Sequence, residues 1–296
     1  MRALVIVNPV AGNGRAARVW NQLRPDVDGL RQCECVTSER IGHARELAQS
    51  AAQAGYERVV VVGGDGTVCE VASGVAHTQT AVAVIPAGTG NDCCRNLGIP
   101  TDVLAAAKLA LNGPVSSVDL GEVQTSQGST HFVNVAGFGF DAEVASRANA
   151  MPKVVDGTLP YVWAVLQTLW RYNSPRMRIS LDERKLDHPV FLVAVGIGAC
   201  YGGGMRIVPD AVIDDGLFDV CVVGEVGRLE VLRLVPRMYS GGHRGHEAVQ
   251  FFRCREVRAE SAAPVRCQAD GERAGDLPAS FKIHAGGLQC VTGPRQ

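Results

Sequence analysis

Hydrophobic positions in the first third of the chain form short continuous runs that alternate with alanine-rich segments. Three runs are apolar throughout, as is typical of strands buried on both faces of a sheet: Leu4–Val7, Val59–Val62 and Ala81–Ile85. Three further segments have helical composition: Ala16–Leu23, Ile41–Ala54 and Val68–Ala76. Such alternation predicts an α/β domain in which helices flank a parallel sheet.

After about residue 113 the pattern changes to strand-like runs separated by turn residues. These runs are His131–Gly139, Arg176–Leu181, Val190–Gly198, Leu217–Val223, Val249–Ala259 and Ala279–Ala285. Helical stretches at Leu159–Tyr172 and Arg228–Tyr239 interrupt them, and Pro236 is expected to kink or end the second stretch. We therefore predict an α/β domain over residues 1–113 and a mostly antiparallel, β-rich domain over residues 114–285.

Composition supports a folded, cytoplasmic protein. The 296 residues are 46% hydrophobic and carry a net charge of −1, so no global basic field draws the chain onto nucleic acid or an anionic membrane. The ten cysteines include no Cys-x-x-Cys pair, and we interpret most of them as reduced core residues. No run approaches the roughly 18 apolar residues that cross a bilayer, so a lipid substrate would be met at the membrane surface.

Glycine-rich segments follow each predicted strand of the first domain: Asn8–Arg15, Gly63–Thr67 and Pro86–Asp92. Ligands of parallel sheets bind at these carboxyl ends of strands. Gly63-Gly64-Asp65-Gly66-Thr67 combines phosphate-compatible glycines with a carboxylate, which suits phosphate only if Mg²⁺ lies between them. The alternative interpretation is a plain turn with Asp65 capping the helix.

The segment Pro86–Asp92 has the same arrangement and also fits a plain glycine-rich turn. Together, however, the two loops would face one cleft and present Asp65 and Asp92 to the same metal. A weak dinucleotide-binding pattern occurs at Gly12-x-Gly14-x-x-Ala17 and again at Gly137-x-Gly139-x-x-Ala142. Asp270-Gly271-Glu272, taken alone, is most simply a hairpin turn.

On these motifs the chain resembles the diacylglycerol kinase catalytic family, which includes soluble bacterial lipid kinases and the sphingosine and ceramide kinases. The resemblance covers nearly the whole chain through the following segments: Val7–Pro9 with Gly12 and Gly14, Thr37/Ser38 before Gly42–Ala44, Gly63–Glu70, Gly88–Asp92 with Arg95, Asn134–Gly139, Gly202–Gly204, Asp214–Asp219 and Asp270–Glu272.

The resemblance implies an α/β nucleotide-binding domain like that of NAD kinases and diacylglycerol kinases, a C-terminal β-sandwich, and an active site between them. It also implies that a final strand within residues 286–296 returns to the first domain. The implied ATP contacts are Asn8, Pro9, Gly12, Thr37 or Ser38, Gly64, Asp65, Gly66, Thr67, Glu70, Thr89, Gly90 and Asn91.

The family's catalytic roles carry over to three carboxylates. Asp65 and Asp92 match the residues that organise Mg²⁺, and Glu272 matches the general base. Asp215 matches a ligand of a second, structural metal that backbone carbonyls near Val212 and Leu217 would complete. The family often has a polar residue where Val212 stands.

The resulting expectation is an ATP-dependent lipid kinase, with diacylglycerol as acceptor and phosphatidic acid as product. Three alternatives stay open at this point: a kinase of another small molecule (a sphingoid base, NAD or a sugar phosphate), a dinucleotide-dependent oxidoreductase, and a catalytically silent lipid-binding module. The intact set of carboxylates argues against the third. The segment Tyr161–Tyr172 is either a membrane-contacting helix or a core helix, and a homodimer is left open.

Overall fold

The computed structural model describes residues 2–150 and 159–294. Its N-terminal part is built on strands β1 (Ala3–Val7), β2 (Glu34–Thr37), β3 (Arg58–Gly63) and β4 (Ala81–Pro86). The strands lie in the order β4-β3-β1-β2, and every neighbouring pair is parallel. The three predicted apolar runs are β1, β3 and β4, so the parallel sheet is confirmed.

Helices cover both faces of this sheet. They are α1 (Ala11–Asp26), α2 (Asp28–Arg31), α3 (His43–Gln53), α4 (Asp65–Val75), α5 (Asp92–Asn96) and α6 (Val103–Asn112). Alternate residues of β3 enter different cores: Val59 and Val61 pack with α3 and α4, whereas Val60 and Val62 pack with α1. Burial on both faces explains why these strands read as continuous apolar runs.

The C-terminal part contains antiparallel strands and three further helices. The strands are β5 (Val115–Thr125), β6 (Gly128–Phe132), β7 (Val135–Gly139), β8 (Arg176–Leu181), β9 (Arg184–Gly196), β10 (Phe218–Gly224), β11 (Val249–Cys254), β12 (Glu256–Ser261), β13 (Arg266–Ala269), β14 (Glu272–Asp276) and β15 (Ala279–Val291). The helices are α7 (Phe140–Ala150), α8 (Leu159–Arg171) and α9 (Arg228–Met238), and a 3-10 helix spans Gly242–Gly245.

These strands form a sandwich whose layers share the long strand β9. The first half of β9 pairs with β8 and its second half with β7 and β10. The core between the layers contains four fully buried rings, Phe132, Phe138, Phe218 and Phe281. None of the described helices is both long and apolar enough to cross a bilayer.

Strand β15 belongs to both parts of the molecule. Its first residues pair with β12, most of its length pairs with β5, and Cys290 lies opposite Val82 of β4 in a parallel arrangement. The strand begins at Ala279, well before residue 286. It joins the parallel sheet to the sandwich in one continuous set of strands.

Two runs predicted as single strands are interrupted in the structure. His131–Gly139 is divided between β6 and β7 because the amides of Val133 and Asn134 donate to the Asp270 carboxylate instead of to a neighbouring strand. Val249–Ala259 is divided at Arg255, whose amide donates to Asp182. In each case a distant aspartate replaces strand pairing.

Other elements also differ from prediction. Pro236 does not end α9, which continues two residues further to Met238, although the proline has no N–H to donate to the carbonyl of Leu232. The strands β2, β5, β13 and β14 and the helices α6 and α7 were not predicted from the hydrophobic pattern. Strand β2, which ends at Thr37, is short and half exposed, so the hydrophobic pattern that would predict it is weak.

Candidate active site

The first and third glycine-rich loops touch directly. Gly12, Asn13 and Gly14 have φ values of 55°, 54° and 81°, which interrupts the start of α1 with a left-handed turn. A Cβ on Gly12 would lie 2.2 Å from the carbonyl oxygen of Ala87. Glycine at position 12 therefore allows the loop after β1 to pack on the loop after β4.

The second loop is held between these two. A Cβ on Gly88 would lie 2.5 Å from Cα of Gly64, so the loops after β3 and β4 are in backbone contact. The side-chain amide of Asn8 donates to the hydroxyl of the buried Thr67 at 2.9 Å. All three loops thus form one surface at the carboxyl edge of the sheet. The exposed Gly66 lies in the first turn of α4, where backbone amides attract phosphate.

Asp65 and Asp92 face the same space. A Cβ placed on Gly90 would lie 3.0 Å from Oδ2 of Asp65 and 3.5 Å from Oδ2 of Asp92. The other oxygen of Asp65, Oδ1, accepts the backbone N–H of Cys93 at 2.9 Å. Two carboxylates from different loops therefore converge beside Gly90, as the sequence predicted.

Asp92 is buried and links the two parts of the molecule. Its Oδ1 accepts from Arg95 at 2.8 Å, and its Oδ2 accepts the backbone N–H of Gly203 at 2.7 Å. Burial raises the pKa of Asp92, and the charge of Asp65 raises it further, whereas the Gly203 amide and Arg95 lower it. This pair of carboxylates would be stabilised by a cation.

The remaining predicted nucleotide contacts border this surface, but some have structural partners. Asn91 holds the third loop, because its side chain exchanges two hydrogen bonds of 3.0 Å with Gly88. Glu70 caps α3, accepting the amides of Gly42 at 2.9 Å and Ala44 at 3.2 Å. Its carboxylate therefore positions the α3 start.

Four more predicted contacts lie at or just after the ends of strands β1, β2 and β4. Pro9 is half-buried after β1, and Thr89 is exposed in the loop after β4. Thr37 ends β2 and is exposed, whereas Ser38 is buried and donates its amide to Val7 at 2.9 Å. Of the alternatives Thr37 and Ser38, the exposed Thr37 has the more accessible hydroxyl.

Asp270-Gly271-Glu272 is a hairpin turn between β13 and β14, and it is also part of the cleft. Both turn residues, Asp270 and Gly271, have positive φ, 48° and 85°. The Asp270 carboxylate accepts the backbone amides of Val133, Asn134 and Val135 at 2.7–3.0 Å. Burial raises the pKa of Asp270 to about 6, against the effect of these amides.

Glu272 is exposed at the first position of β14. Cys69 lies in α4, and burial raises the pKa of its thiol. The charges of Asp270 and Glu272 raise this pKa further, so Glu272 lies near α4. The charge of Asp65 also raises the pKa of Asp270. The hairpin from the sandwich therefore meets the helix that begins at Asp65.

A hydrogen-bonded junction keeps the two parts in register beside the cleft. The Asn96 side chain donates to Asn134 at 2.9 Å and to the carbonyl of Cys200 at 3.1 Å. The Asn134 amide group in turn contacts the sulfur of Cys93 at 3.0 Å. Sequence reasoning identified Asn134 only as part of a motif and missed Asn96.

The residues proposed for a second metal do not form a free ligand set. Arg253 forms a short ion pair with Oδ2 of Asp215, and Oδ1 of Asp215 accepts the amide of Leu217 at 3.1 Å. Val212 is exposed, and the resemblance assigns it a backbone carbonyl and not a side chain. Arg253 already neutralises Asp215, so in this arrangement the carboxylate is not free to hold a cation, and we derive no role for one.

A small apolar cavity of about 60 Å³ lies behind the hairpin, among α7, α8, α9 and the sandwich. Its walls include Val165, Leu234 and Met238, and two buried polar side chains, Asp141 and His243, also line it. Within the described part of the chain, Oδ1 of Asp141 and Nδ1 of His243 have no hydrogen-bond partner. Burial raises the pKa of Asp141 to about 6.

A short relay connects this cavity with the hairpin. Gln268 donates to Oδ2 of Asp141 at 3.2 Å and accepts the amide of Gly271 at 2.9 Å. Gly271 precedes Glu272 in the chain. Sequence reasoning missed Asp141 and Gln268; the only signal was an aspartate directly after the apolar run Val135–Phe140.

The donor set beside Gly90 fits Mg²⁺. This ion usually takes one or two protein carboxylates and completes its shell with water and substrate phosphates. Among the described residues, no group of three His, Cys, Asp or Glu side chains is arranged to hold a metal. A pair of carboxylates therefore suits an ion that shares its coordination with a nucleotide.

Comparison with known proteins agrees with this architecture. Residues 2–123 match the diacylglycerol kinase catalytic domain, and residues 134–292 match the YegS C-terminal NAD kinase beta sandwich-like domain. The diacylglycerol kinase of Mycobacterium tuberculosis (strain CDC 1551 / Oshkosh) is 33% identical over 295 residues, covering 98% of this chain and 94% of that protein. That of Staphylococcus carnosus is 29% identical over 283 residues, covering 95% and 91%.

Solved structures show the same fold. A Bacillus anthracis protein superposes with a TM-score of 0.81 at 24% identity, covering 99% of this chain and 98% of that one. A second, described as a diacylglycerol kinase from the same organism, has a TM-score of 0.74 at 22% identity and covers 99% and 97%.

The fold and the two family models together define a two-domain kinase, an α/β domain followed by a β-sandwich. The chain belongs to the diacylglycerol kinase family. This membership favours a kinase over the dinucleotide-dependent oxidoreductase, and the left-handed turn at Gly12–Gly14 packs on the loop after β4.

Proposed function

We propose that this protein transfers the γ-phosphate of ATP to the free hydroxyl of diacylglycerol and produces phosphatidic acid. The observation that carries the proposal is the relay from the apolar cavity to the Glu272 hairpin. A lipid whose acyl chains enter and widen this cavity would present its polar end toward Asp141 and Glu272. The family names of the relatives support the same substrate class.

The three glycine-rich loops would bind the nucleotide phosphates. Their backbone contacts at Gly12, Gly64 and Gly88 leave no room for side chains, so phosphate oxygens can approach the amides closely. Thr67 and Asn8 hold the loops together through their hydrogen bond of 2.9 Å. Arg95 lies beside Asp92 and would help to neutralise the transferring group.

Asp65 and Asp92 would hold Mg²⁺, which neutralises phosphate charge when bound. The Gly203 amide fixes the Asp92 carboxylate from the side of the sandwich. Asp65 is fixed by the Cys93 amide. Both carboxylates are thus oriented before any ligand binds, which reduces the reorganisation needed for catalysis.

Glu272 would accept the proton of the lipid hydroxyl as it attacks the γ-phosphate. Asp270 cannot easily take this role, because its oxygens accept three backbone amides and it fixes the turn. Glu272 follows the turn residue Gly271 directly and begins β14. Asp270 is therefore a positioning residue for Glu272.

A kinase assay tests the proposal. Labelled ATP with Mg²⁺ would be incubated with diacylglycerol, a sphingoid base or NAD, and labelled products separated. We expect phosphatidic acid from wild type and a loss of roughly a hundredfold or more in Asp65→Ala and in Glu272→Gln. The matched control Glu183→Gln changes an exposed glutamate in the β8–β9 turn. Labelled NAD phosphate without phosphatidic acid would contradict the acceptor, and full turnover in Glu272→Gln would contradict the base.

A further inference from the structure

Helix α9 has apolar residues on two opposite faces. Val231 and Leu234 are buried, and with Val235 and Met238 they line the apolar cavity. The outer face carries Leu229, 69% exposed, and Leu232, 41% exposed. The inner residues explain the packing of the helix. Much of Leu229 and Leu232 lies outside this packing, and each would be stabilised by leaving water.

Helix α8 extends this outer face. Trp170 is 62% exposed near the end of α8, and the guanidinium carbon of Arg228 lies 5.6 Å from the centre of its ring. The contact joins the exposed sides of α8 and α9 into one surface. Tryptophan and arginine together are typical of the boundary between lipid headgroups and acyl chains.

Arginines frame the leucines of this surface. With 100° between successive residues, Leu229 and Leu232 lie on one side of α9, Arg228 flanks them on one edge, and Arg233 and Arg237 on the other. Arg233, Arg237 and Arg171 are exposed. The acidic residue of the helix, Glu230, is bonded to His246 at 2.7 Å. An apolar strip bordered by basic residues is complementary to an anionic bilayer surface.

We propose that this surface, Trp170, Arg228, Leu229, Leu232, Arg233 and Arg237, docks the protein on anionic membranes. The leucines enter the headgroup region and the arginines contact lipid phosphates. Because the opposite side of α9 lines the cavity, docking places the cavity one helix away from the bilayer. This inference rests on the proposed lipid acceptor, and it names the surface through which the kinase reaches that lipid.

Vesicle co-sedimentation without ATP tests the docking surface separately from catalysis. Wild type would be titrated with vesicles of phosphatidylcholine and with vesicles that also contain phosphatidylglycerol. We expect wild type to bind the anionic vesicles more tightly. The double variant Leu229→Ser/Leu232→Ser should lose roughly tenfold in vesicle affinity. Arg233→Gln and Arg237→Gln should each lose roughly fivefold in affinity, and only for the anionic vesicles.

The matched control is Leu104→Ser, which removes a 39% exposed leucine from α6 on the other domain. It should bind like wild type. Phosphorylation of a dispersed short-chain diacylglycerol should be unchanged in the double leucine variant, which shows that its fold and site are intact. Equal vesicle binding by wild type and the double variant overturns the proposal. A dimer held together by Leu229 and Leu232, detected by sedimentation velocity, would overturn the proposal as well.

Discussion

Replacing Asp141 by asparagine should stabilise the protein while impairing its lipid kinase activity. The Asp141 carboxylate is buried in an apolar cavity, one of its oxygens has no partner in the described structure, and its pKa is raised to about 6 from 3.8. The folded state thus binds a proton more readily than the unfolded chain. This group therefore lowers stability above its folded pKa and has no effect below its unfolded pKa.

The magnitude follows from the size of the pKa change. A difference of about 2 pKa units corresponds to a penalty of about 3 kcal/mol at pH 7.5, and roughly half of it disappears at pH 5. Asparagine keeps the acceptor for Gln268 but has no charge to desolvate, although its buried amide costs about 1–3 kcal/mol if unpaired. The net gain at pH 7.5 is therefore small, but the dependence on pH is diagnostic.

Urea denaturation of both proteins at pH 7.5 and pH 5 measures this dependence. The stability of wild type relative to Asp141→Asn should rise by roughly 1–2 kcal/mol when the pH falls from 7.5 to 5. Other acidic groups, such as Asp270, titrate in both proteins and cancel in the comparison. A difference that stays constant between the two pH values would refute the assignment of a buried, poorly solvated carboxylate. Kinase assays on the same samples report its role toward the lipid.

Three other substitutions test the framework of the site. Gly12→Ala places a methyl group 2.2 Å from the Ala87 oxygen at a positive φ, so ATP affinity measured by calorimetry should fall at least tenfold. The control Gly245→Ala lies outside the three loops and adds a Cβ that meets nothing within 4 Å, so it separates the effect of this contact from simple loss of a glycine. Asp270→Ala leaves three buried amides without their acceptor and should cost about 3 kcal/mol or more in chemical denaturation; a loss below 1 kcal/mol would mean that water replaces the carboxylate. Glu70→Ala uncaps α3 and should lower stability by about 1 kcal/mol, with hydrogen exchange faster at Gly42 and Ala44 only; unchanged exchange there would contradict the capping role.

The amino-acid sequence by itself determined the parallel sheet and the loops at its edge. Strands β1, β3 and β4 are buried on both faces, and a strand of this kind can only be a continuous apolar run. Because carboxyl ends of parallel strands share one edge, the convergence of Asp65 and Asp92 followed from their positions after β3 and β4. Local order along the chain was sufficient for these features.

Tertiary structure alone decided how the distant parts meet. The Asp270 carboxylate interrupts the run from His131 to Gly139, 131 or more residues earlier in the chain, and no local pattern encodes that contact. The same holds for Asp92 with the Gly203 amide, and for the Arg253 side chain that occupies Asp215. The apolar cavity with its buried Asp141 is likewise assembled from α7, α8, α9 and the sandwich. Packing between separate elements creates such contacts and spaces, so their physical basis appears only once the chain has folded.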